Sequence, residues 1–280
     1  MNNRTIGICK LCKKNKKLCN SHIIPKFTIN YLKRTSATPY LRYGLTPNIR
    51  RQDAIKIPLL CEDCEEMLSK WEDKFSKEIF VPFKEKNLSQ IKYKKWLPLF
   101  AISLSWKILI EDFEKFQKEY PSLKKDIIIV ENSWRKMILE QKPDTEKYEH
   151  YLIFLNKFQN NKNILLPPKL YRYLLRSCDG CIVSNEKQTK LHCYTKLSNI
   201  IIWSCIKPPN IKEYRKVRIK LQGTIKASQI IKNDAKIGEF LIRRAEYVTN
   251  LYNKMSTKQK DKIKNLMFKN PQKNNQIRNI

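Results

Sequence analysis

Two short cysteine motifs decide the fold of this chain: Cys9-Lys10-Leu11-Cys12 and Cys61-Glu62-Asp63-Cys64. Each motif has the spacing that presents two thiolates to one tetrahedral ion. The segment between them is longer than that of a simple zinc ribbon, so it must loop out and return. Together, Cys9, Cys12, Cys61 and Cys64 predict one structural zinc site. The alternative is two unrelated pairs of buried cysteines.

The composition is that of a basic, folded, cytoplasmic protein. The 280 residues include 57 Lys and Arg against 26 Asp and Glu, which gives a net charge of +31, and 41% of the residues are hydrophobic. That hydrophobic fraction excludes a fully disordered chain, and no apolar run reaches the roughly 18 residues of a membrane span. No apolar signal segment is visible, so we expect a reducing cytoplasmic location, no membrane partner, and nine cysteines that do not form disulfides.

The positive charge is distributed unevenly along the chain. Residues 1–60 contain 13 bases and one acid, residues 61–90 contain 5 bases and 8 acids, and residues 211–280 contain 18 bases and 5 acids. A coding bias toward lysine explains part of the excess, but such a bias would spread lysine evenly. The charge therefore predicts a polyanionic partner. An acidic cluster beside a basic surface suits a site that holds a cation against a phosphate.

Hydrophobic periodicity predicts an α+β protein in two parts. Residues 1–90 form a zinc-organised module, with strands at 6–9 and 18–24, a short helix at 27–33, a loop over 35–58 and an amphipathic helix after Cys64. Residues 91–280 form a mixed domain of unassigned role, with helices over about 95–140, strands over about 150–206 and helices over about 228–268. Asp179-Gly180 and Asn185-Glu186 are predicted to be turns between strands.

A second cysteine cluster has two interpretations. Cys178, Cys181, His192, Cys193 and Cys205 have a spacing that can hold another zinc ion. The same stretch also has the pattern of strands in which cysteine is a small apolar residue. His192 and Cys193 would point to opposite faces of a strand, so at most one of them could join such a site. We favour the strand interpretation.

The segment Ser21-His22-Ile23-Ile24-Pro25 follows the first motif, and Glu65 follows the second directly. This order resembles HNH endonucleases, the His-Me finger or ββα-metal group, over residues 9–85 (CKLC, SHIIPKF, TSATPYLR and LLCEDCEEMLSKWEDKFSKEIF). The resemblance implies a ββα-metal fold for residues 1–90 and metal-dependent hydrolysis of DNA phosphodiester bonds. It also implies a role in bacterial defence against phage or in a mobile element.

The same resemblance assigns roles to individual residues. His22 matches the general base, which takes a proton from the attacking water. Glu65 stands where the family has a ligand of the catalytic Mg²⁺ or Mn²⁺, the ion that contacts the scissile phosphate. Glu72 shares a helix face with Glu65 at i, i+7 spacing, so two carboxylates could approach one cation.

The sequence departs from the family pattern at two positions. Ser21 precedes the base where the family usually has a metal-binding Asp, Glu or His. The residue that orients the base is not identifiable, although Asn48, Gln52 and Asp53 lie in the right interval. Either Glu65 and Glu72 hold the cation in a variant arrangement, or the module keeps its zinc fold without catalysis.

A basic face of the first module is predicted to hold the DNA backbone without reading bases; the alternative is a solvated surface. Its residues are Lys13, Lys14, Lys16, Lys17, Arg34, Arg42, Arg50 and Arg51. Two other functions stay open. One is a catalytically inactive, zinc-dependent nucleic-acid-binding protein. The other is a scaffold subunit of a larger complex, whose residues 91–280 dock a protein partner.

Overall fold

The computed structural model describes residues 5–36, 38, 40–86, 88–155, 168–208, 212–227 and 235–269. Helices and strands are mixed along the chain, which confirms the α+β class. The strands are β1 (Ile6–Ile8), β2 (Asn15–His22), β3 (Leu41–Tyr43), β4 (Thr46–Arg51), β5 (Lys56–Cys61), β6 (Gln90–Tyr93), β7 (His150–Phe154), β8 (Cys178–Ser184), β9 (Leu191–Leu197), β10 (Ile200–Lys207), β11 (Arg218–Ile219) and β12 (Gly223–Lys226). The helices are α1 (Lys26–Arg34), α2 (Glu62–Phe75), α3 (Val81–Glu85), α4 (Trp96–Glu119), α5 (Lys124–Glu140), α6 (Pro168–Arg176), α7 (Ala235–Asn253) and α8 (Thr257–Lys269).

The N-terminal sheet has the antiparallel strand order β1-β2-β5, and α2 follows β5 directly. The pairing of β2 with β5 shifts between Cys19 and Asn20. Such a bulge changes which face later side chains point to. The extra residue is Leu59 of β5, because Cys19 pairs with Leu60 and Asn20 pairs with Pro58. Leu59, Leu60 and Cys61 are all buried, which strict alternation along β5 would not allow.

The long segment over 35–58 is not mainly a loop, as its four proline and glycine residues suggested. It contains the β3–β4 hairpin and the start of β5. Pro47 lies in the two-stranded hairpin, and Pro58 lies opposite Asn20 at the bulge. Proline is tolerated at edges and bulges because no ladder hydrogen bond is lost there. The two prolines therefore indicate a hairpin and a β-bulge rather than a loop.

The helix predicted after the second cysteine motif is present and extends further toward both ends. Cys61 is its N-cap residue. Glu62, Asp63 and Glu65 lie in the first turn, where acidic side chains interact favourably with the helix dipole. The helix continues through a π-helical turn at Ser76–Phe80 into α3. Its buried face carries Cys64, Leu68, Trp71 and Phe75.

The second sheet has the antiparallel order β11-β7-β10-β9-β8. Helices α4 and α5 contact one face, while side chains of α6 and α7 join the cluster on the other face. The predicted turn at Asp179-Gly180 is wrong, because both residues lie inside β8. A Cβ on Gly180 would lie 2.4 Å from Ile108 Cδ1, so this glycine permits close approach of α4. Helix α6 was not predicted.

The predicted division at residue 90 does not coincide with a gap in the packing. One hydrophobic cluster includes Cys9 and Leu68 on one side of this position and Leu104 and Ile202 on the other. The rings of Phe75 in α2 and Phe100 in α4 are stacked with centroids 4.1 Å apart. Among the described residues, no helix is long and apolar enough to cross a bilayer.

Two buried histidines of the second sheet are expected to make stability depend on pH. Burial lowers the pKa of His150 to about 3 and that of His192 to about 4. Between pH 6.5 and these values the unfolded chain binds protons that the folded chain does not, so stability falls as pH falls. We expect the free energy of unfolding to decrease by about 3 kcal/mol between pH 7.5 and 5.5.

Urea unfolding at the two pH values measures this slope. The double variant His150→Gln/His192→Gln is the control, since it keeps other acid-sensitive groups such as the cysteines. Its pH dependence should be smaller than that of the wild type by this amount. If the free energy of unfolding changes with pH equally in the two proteins, His150 and His192 are not the source of the pH dependence.

Candidate metal centre and active site

The four predicted cysteines converge on one point. The Sγ atoms of Cys9, Cys12, Cys61 and Cys64 all lie within 4.8 Å of one another, and Cys12 and Cys61 Sγ are 3.8 Å apart. Zinc–sulfur bonds of about 2.3 Å in a tetrahedron place sulfurs about 3.8 Å apart. The arrangement is therefore compatible with a structural zinc site.

Local structure positions the two cysteine pairs differently. The first pair lies on a tight turn in which Lys13 N donates to Cys9 O at 2.9 Å, and Lys13 has a left-handed backbone with φ of 60°. The second pair lies where β5 passes into α2. Cys61 N donates to Cys9 Sγ at 3.3 Å and links the two. Burial raises the pKa of Cys9, but backbone N–H groups, that of Cys61 foremost, lower it to about 7 overall.

The second cysteine cluster does not converge. Cys193 Sγ donates to Ser105 O of α4, whereas His192 lies against the Trp203 ring on the other face of the sheet. This confirms that neighbouring residues of β9 face opposite ways. Within the described ranges, the four N-terminal cysteines are the one group of three or more His, Cys, Asp or Glu side chains placed to share an ion.

His22 is the last residue of β2 and is held by a carboxylate. Its Nε2 lies 3.0 Å from Asp53 Oδ1, and Asp53 Oδ2 lies 2.6 Å from Lys56 Nζ. A carboxylate accepts hydrogen bonds, so Nε2 carries the proton and Nδ1 of the neutral ring keeps a lone pair. Burial raises the pKa of Asp53, but the bonds from Lys56 and His22 outweigh it and hold this pKa well below its usual range. Asp53 is thus a charged partner for the imidazole, and it lies in the interval that the sequence indicated.

Ser21 contacts Glu65 rather than standing free beside the base. Its hydroxyl donates to Glu65 Oε2 at 2.5 Å, and Ser21 is fully buried. This bond joins the end of β2 to the first turn of α2. It brings the Glu65 carboxylate to the strand that carries His22.

Glu72 does not fit the predicted role of divalent-cation ligand. Lys107 Nζ lies 2.7 Å from Glu72 Oε1 and also donates to His22 O at 3.2 Å. The Lys107 side chain is 2% exposed and that of Glu72 is 18% exposed. The buried ammonium therefore already neutralises the carboxylate that the sequence interpretation assigned to a Mg²⁺ or Mn²⁺ site.

Lys107 and Lys56 are the site residues that the sequence interpretation missed. A lysine inside the apolar run of α4 is a detectable signal, because a buried ammonium requires a partner. The identity of that partner depends on the packing of α4 against α2, which no local pattern encodes.

The predicted basic face is partly neutralised. Lys13 lies 3.8 Å from Glu131, Lys16 lies 2.6 Å from Asp63, and Arg34 is paired with Glu85. Arg42 donates to Pro47 O at 2.7 Å and to Gln259 Oε1 at 3.0 Å, so it ties structural elements together. These four are therefore not free phosphate contacts.

The remaining residues of that face keep their charge available. Lys14 and Lys17 are exposed, while Arg50 and Arg51 are half-buried on β4. The guanidinium of Arg50 lies 5.2 Å from the centroid of the Tyr40 ring.

The chain was compared with protein-family models, curated proteins and solved structures. No protein-family model matches this chain, and no match was found among the curated proteins or the solved structures.

Proposed function

We propose that this protein is a zinc-stabilised, HNH-type endonuclease that hydrolyses DNA phosphodiester bonds, with His22 as general base. The observation that carries the proposal is the hydrogen-bonded series from His22 to Asp53 to Lys56 beside the four-cysteine site. The order of β2, β5 and α2, in which an antiparallel strand pair leads into a helix, supports a ββα-metal module.

In this mechanism Nδ1 of His22 takes a proton from the water whose oxygen bonds to phosphorus, while the P–O bond to the leaving nucleotide oxygen breaks and that oxygen takes a proton from solvent water. Asp53 holds the ring through Nε2 and stabilises the imidazolium that forms. Lys56 keeps Asp53 in place from the other oxygen. Glu72 is paired with Lys107 and takes no part in these proton transfers.

Zinc at the four cysteines has a structural role in this proposal. It joins the turn after β1 to the start of α2, and these two elements flank β2 and β5. A closed site with four sulfur ligands has no open position for a substrate. None of the nine cysteines, all of which lie in the described ranges, forms a disulfide.

The partner in this proposal is DNA, held through its phosphates by Lys14, Lys17, Arg50 and Arg51. Contacts of this kind position a duplex without reading its sequence. A nuclease of this type suits defence against phage or a mobile element.

Replacing His22 with asparagine tests the proposal. We expect nicking of supercoiled plasmid, assayed with Mg²⁺ and separately with Mn²⁺, to fall by about 10²–10⁴-fold, because a general base contributes that much. Asp53→Asn should give a smaller loss, since the amide oxygen still accepts from Nε2 but lacks the charge. Zinc content and thermal unfolding of each variant must match the wild type.

The matched control is Cys19→Ser. Cys19 lies on the same strand as His22 but belongs neither to the four-cysteine site nor to the hydrogen-bonded series from His22 to Lys56. This variant should nick plasmid at the rate of the wild type. If the wild type binds DNA without cutting it, or if His22→Asn cuts as well as the wild type, the catalytic role of His22 is contradicted.

A catalytically inactive nucleic-acid-binding or scaffold protein is the second candidate. The neutralisation of Glu72 by Lys107 and the presence of Ser21 before the base favour it, because both remove ligands for a catalytic cation. This candidate predicts salt-sensitive DNA binding that is unchanged by His22→Asn.

A further inference from the structure

Helix α8 has a basic surface that the proposed function does not yet use. Five of its 13 residues are exposed lysines, and Asp261 is its one acid. The lysines are Lys258, Lys260, Lys262, Lys264 and Lys269. Among the residues that the structure describes, none of these five makes an ion pair.

Some exposed lysines of other helices are paired with an acid on the same helix, whereas those of α8 are not. Lys70 lies 3.1 Å from Glu66 and Lys136 lies 3.9 Å from Glu140, each at i, i+4 spacing. In α8 the residue at i, i+4 spacing from Lys258 is Lys262, which carries the same charge. Like charges at this spacing destabilise a helix, and a bound polyanion would relieve the repulsion.

Three hydrogen bonds tie the end of α7 and the start of α8 to the β3–β4 hairpin. Gln259 Oε1 accepts from Arg42 at 3.0 Å, and Ser256 N donates to Asn48 Oδ1 at 2.8 Å. At the end of α7, the Tyr252 hydroxyl donates to Arg42 O at 2.7 Å. The basic helix therefore has a defined position beside the hairpin.

The hairpin connects this surface to the proposed active site. Strand β4 ends at Arg51, two residues before Asp53, which holds His22. Arg50 lies on the same strand. The lysines of α8 and the arginines of the hairpin thus belong to adjoining elements, one of which leads to the general base.

The spacing of the lysines fits a phosphate backbone. Lys258, Lys262 and Lys269 are separated by four and seven residues, so they share one face of the helix. At 1.5 Å per residue they extend over about 17 Å. Duplex DNA carries about one charge per 1.7 Å of its axis, so several phosphates lie within reach of this row.

The apolar face of α8 argues against a lipid surface as the partner. Ile263, Leu266 and Met267 are half-buried, whereas Phe268 is 80% exposed. A helix that binds in a membrane interface needs a free apolar face. Here most of that face is covered and the exposed face is cationic.

We infer that α8 is a second DNA-binding element, which holds the phosphate backbone of a duplex beside the β3–β4 hairpin through Lys258, Lys262 and Lys269. This inference rests on the proposed function, because it assigns the same polymer to a further surface. It gives the C-terminal part of the chain a role in placing DNA at His22.

Binding of a fluorescent duplex of about 20 base pairs, measured by anisotropy at several salt concentrations in the full chain, tests this role. Each lost phosphate contact reduces the slope of log affinity against log salt by about 0.9. The triple variant Lys258→Gln/Lys262→Gln/Lys269→Gln should therefore lower the slope by about 2–3 and weaken binding at least tenfold. The control Lys70→Gln/Lys118→Gln/Lys136→Gln removes the same charge from other helices and should change the slope by less than about 0.5.

The outcomes separate this inference from the nuclease proposal. If the wild type binds duplex and the α8 variant has the same slope, α8 is not a DNA contact and the role of His22 is unaffected. If the wild type binds no duplex at any salt concentration, both proposals are overturned. If the α8 variant loses binding to phosphatidylserine vesicles but keeps DNA binding, the helix binds membrane surfaces and the inference is wrong.

Discussion

Replacing Cys61 with serine is expected to abolish zinc binding and to unfold the N-terminal sheet. Cys61 belongs to the thiol cluster, ends β5 and is the N-cap of α2, and it is buried. Structural zinc contributes roughly 10–16 kcal/mol in zinc-finger peptides, so losing one of four ligands should lower the free energy of unfolding on the order of 5 kcal/mol. Serine nearly matches cysteine in volume, so the effect would report on the metal rather than on packing.

Thermal unfolding and near-ultraviolet circular dichroism measure this change. Cys19→Ser is the matched control, because Cys19 lies on β2 of the same sheet but outside the thiol cluster. It should change the free energy of unfolding by less than about 1 kcal/mol. If the two serine variants unfold at the same temperature, the four thiols do not hold a stabilising ion.

Replacing Lys107 with methionine is expected to give the second large loss of stability. The variant leaves the Glu72 carboxylate without a partner in a site where it is 18% exposed, and it removes the donor to His22 O. Breaking a buried ion pair from one side costs about 3–5 kcal/mol. Methionine preserves most of the aliphatic length, so the loss would come from the charge.

A double-mutant cycle separates the pair from its surroundings. Adding Glu72→Gln to Lys107→Met should recover a large part of the lost stability, because no unpaired charge remains. Lys136→Met is the control: its pair with Glu140 spans 3.9 Å between exposed side chains and should contribute below about 0.5 kcal/mol. If Lys107→Met is as mild as Lys136→Met, the buried pair does not stabilise the fold more than an exposed pair does.

The features with strong local signals could be predicted from the sequence. The paired cysteine motifs predicted a cluster that the structure forms, and the apolar periodicity of α2 and α4 predicted helices that are present. Four strands of the second sheet were also located, because their runs of branched and aromatic residues exceed those of the connecting segments.

Other features depend on contacts that no local pattern carries. Gly180 was interpreted as a turn residue, but it lies in β8, where Ile108 of α4 occupies the space that a side chain would fill. Pro47 and Pro58 suggested a loop, but they occupy irregular strand positions.

In the candidate site, too, some features follow from the sequence and others depend on tertiary contacts. The position of His22 and the interval containing Asp53 follow from sequence order. The neutralisation of Glu72 by Lys107 joins residues 35 positions apart, on two helices that meet through packing alone.

Native mass spectrometry of the intact chain tests most directly whether one zinc ion holds the sheet that carries His22. We predict one zinc per wild-type chain, one per His22→Asn chain and none per Cys61→Ser chain, with the unfolding temperature of the first two equal. A wild-type chain that contains no zinc, and whose four N-terminal thiols react freely with a thiol reagent in the folded state, would contradict the zinc-stabilised module on which the proposed nuclease depends.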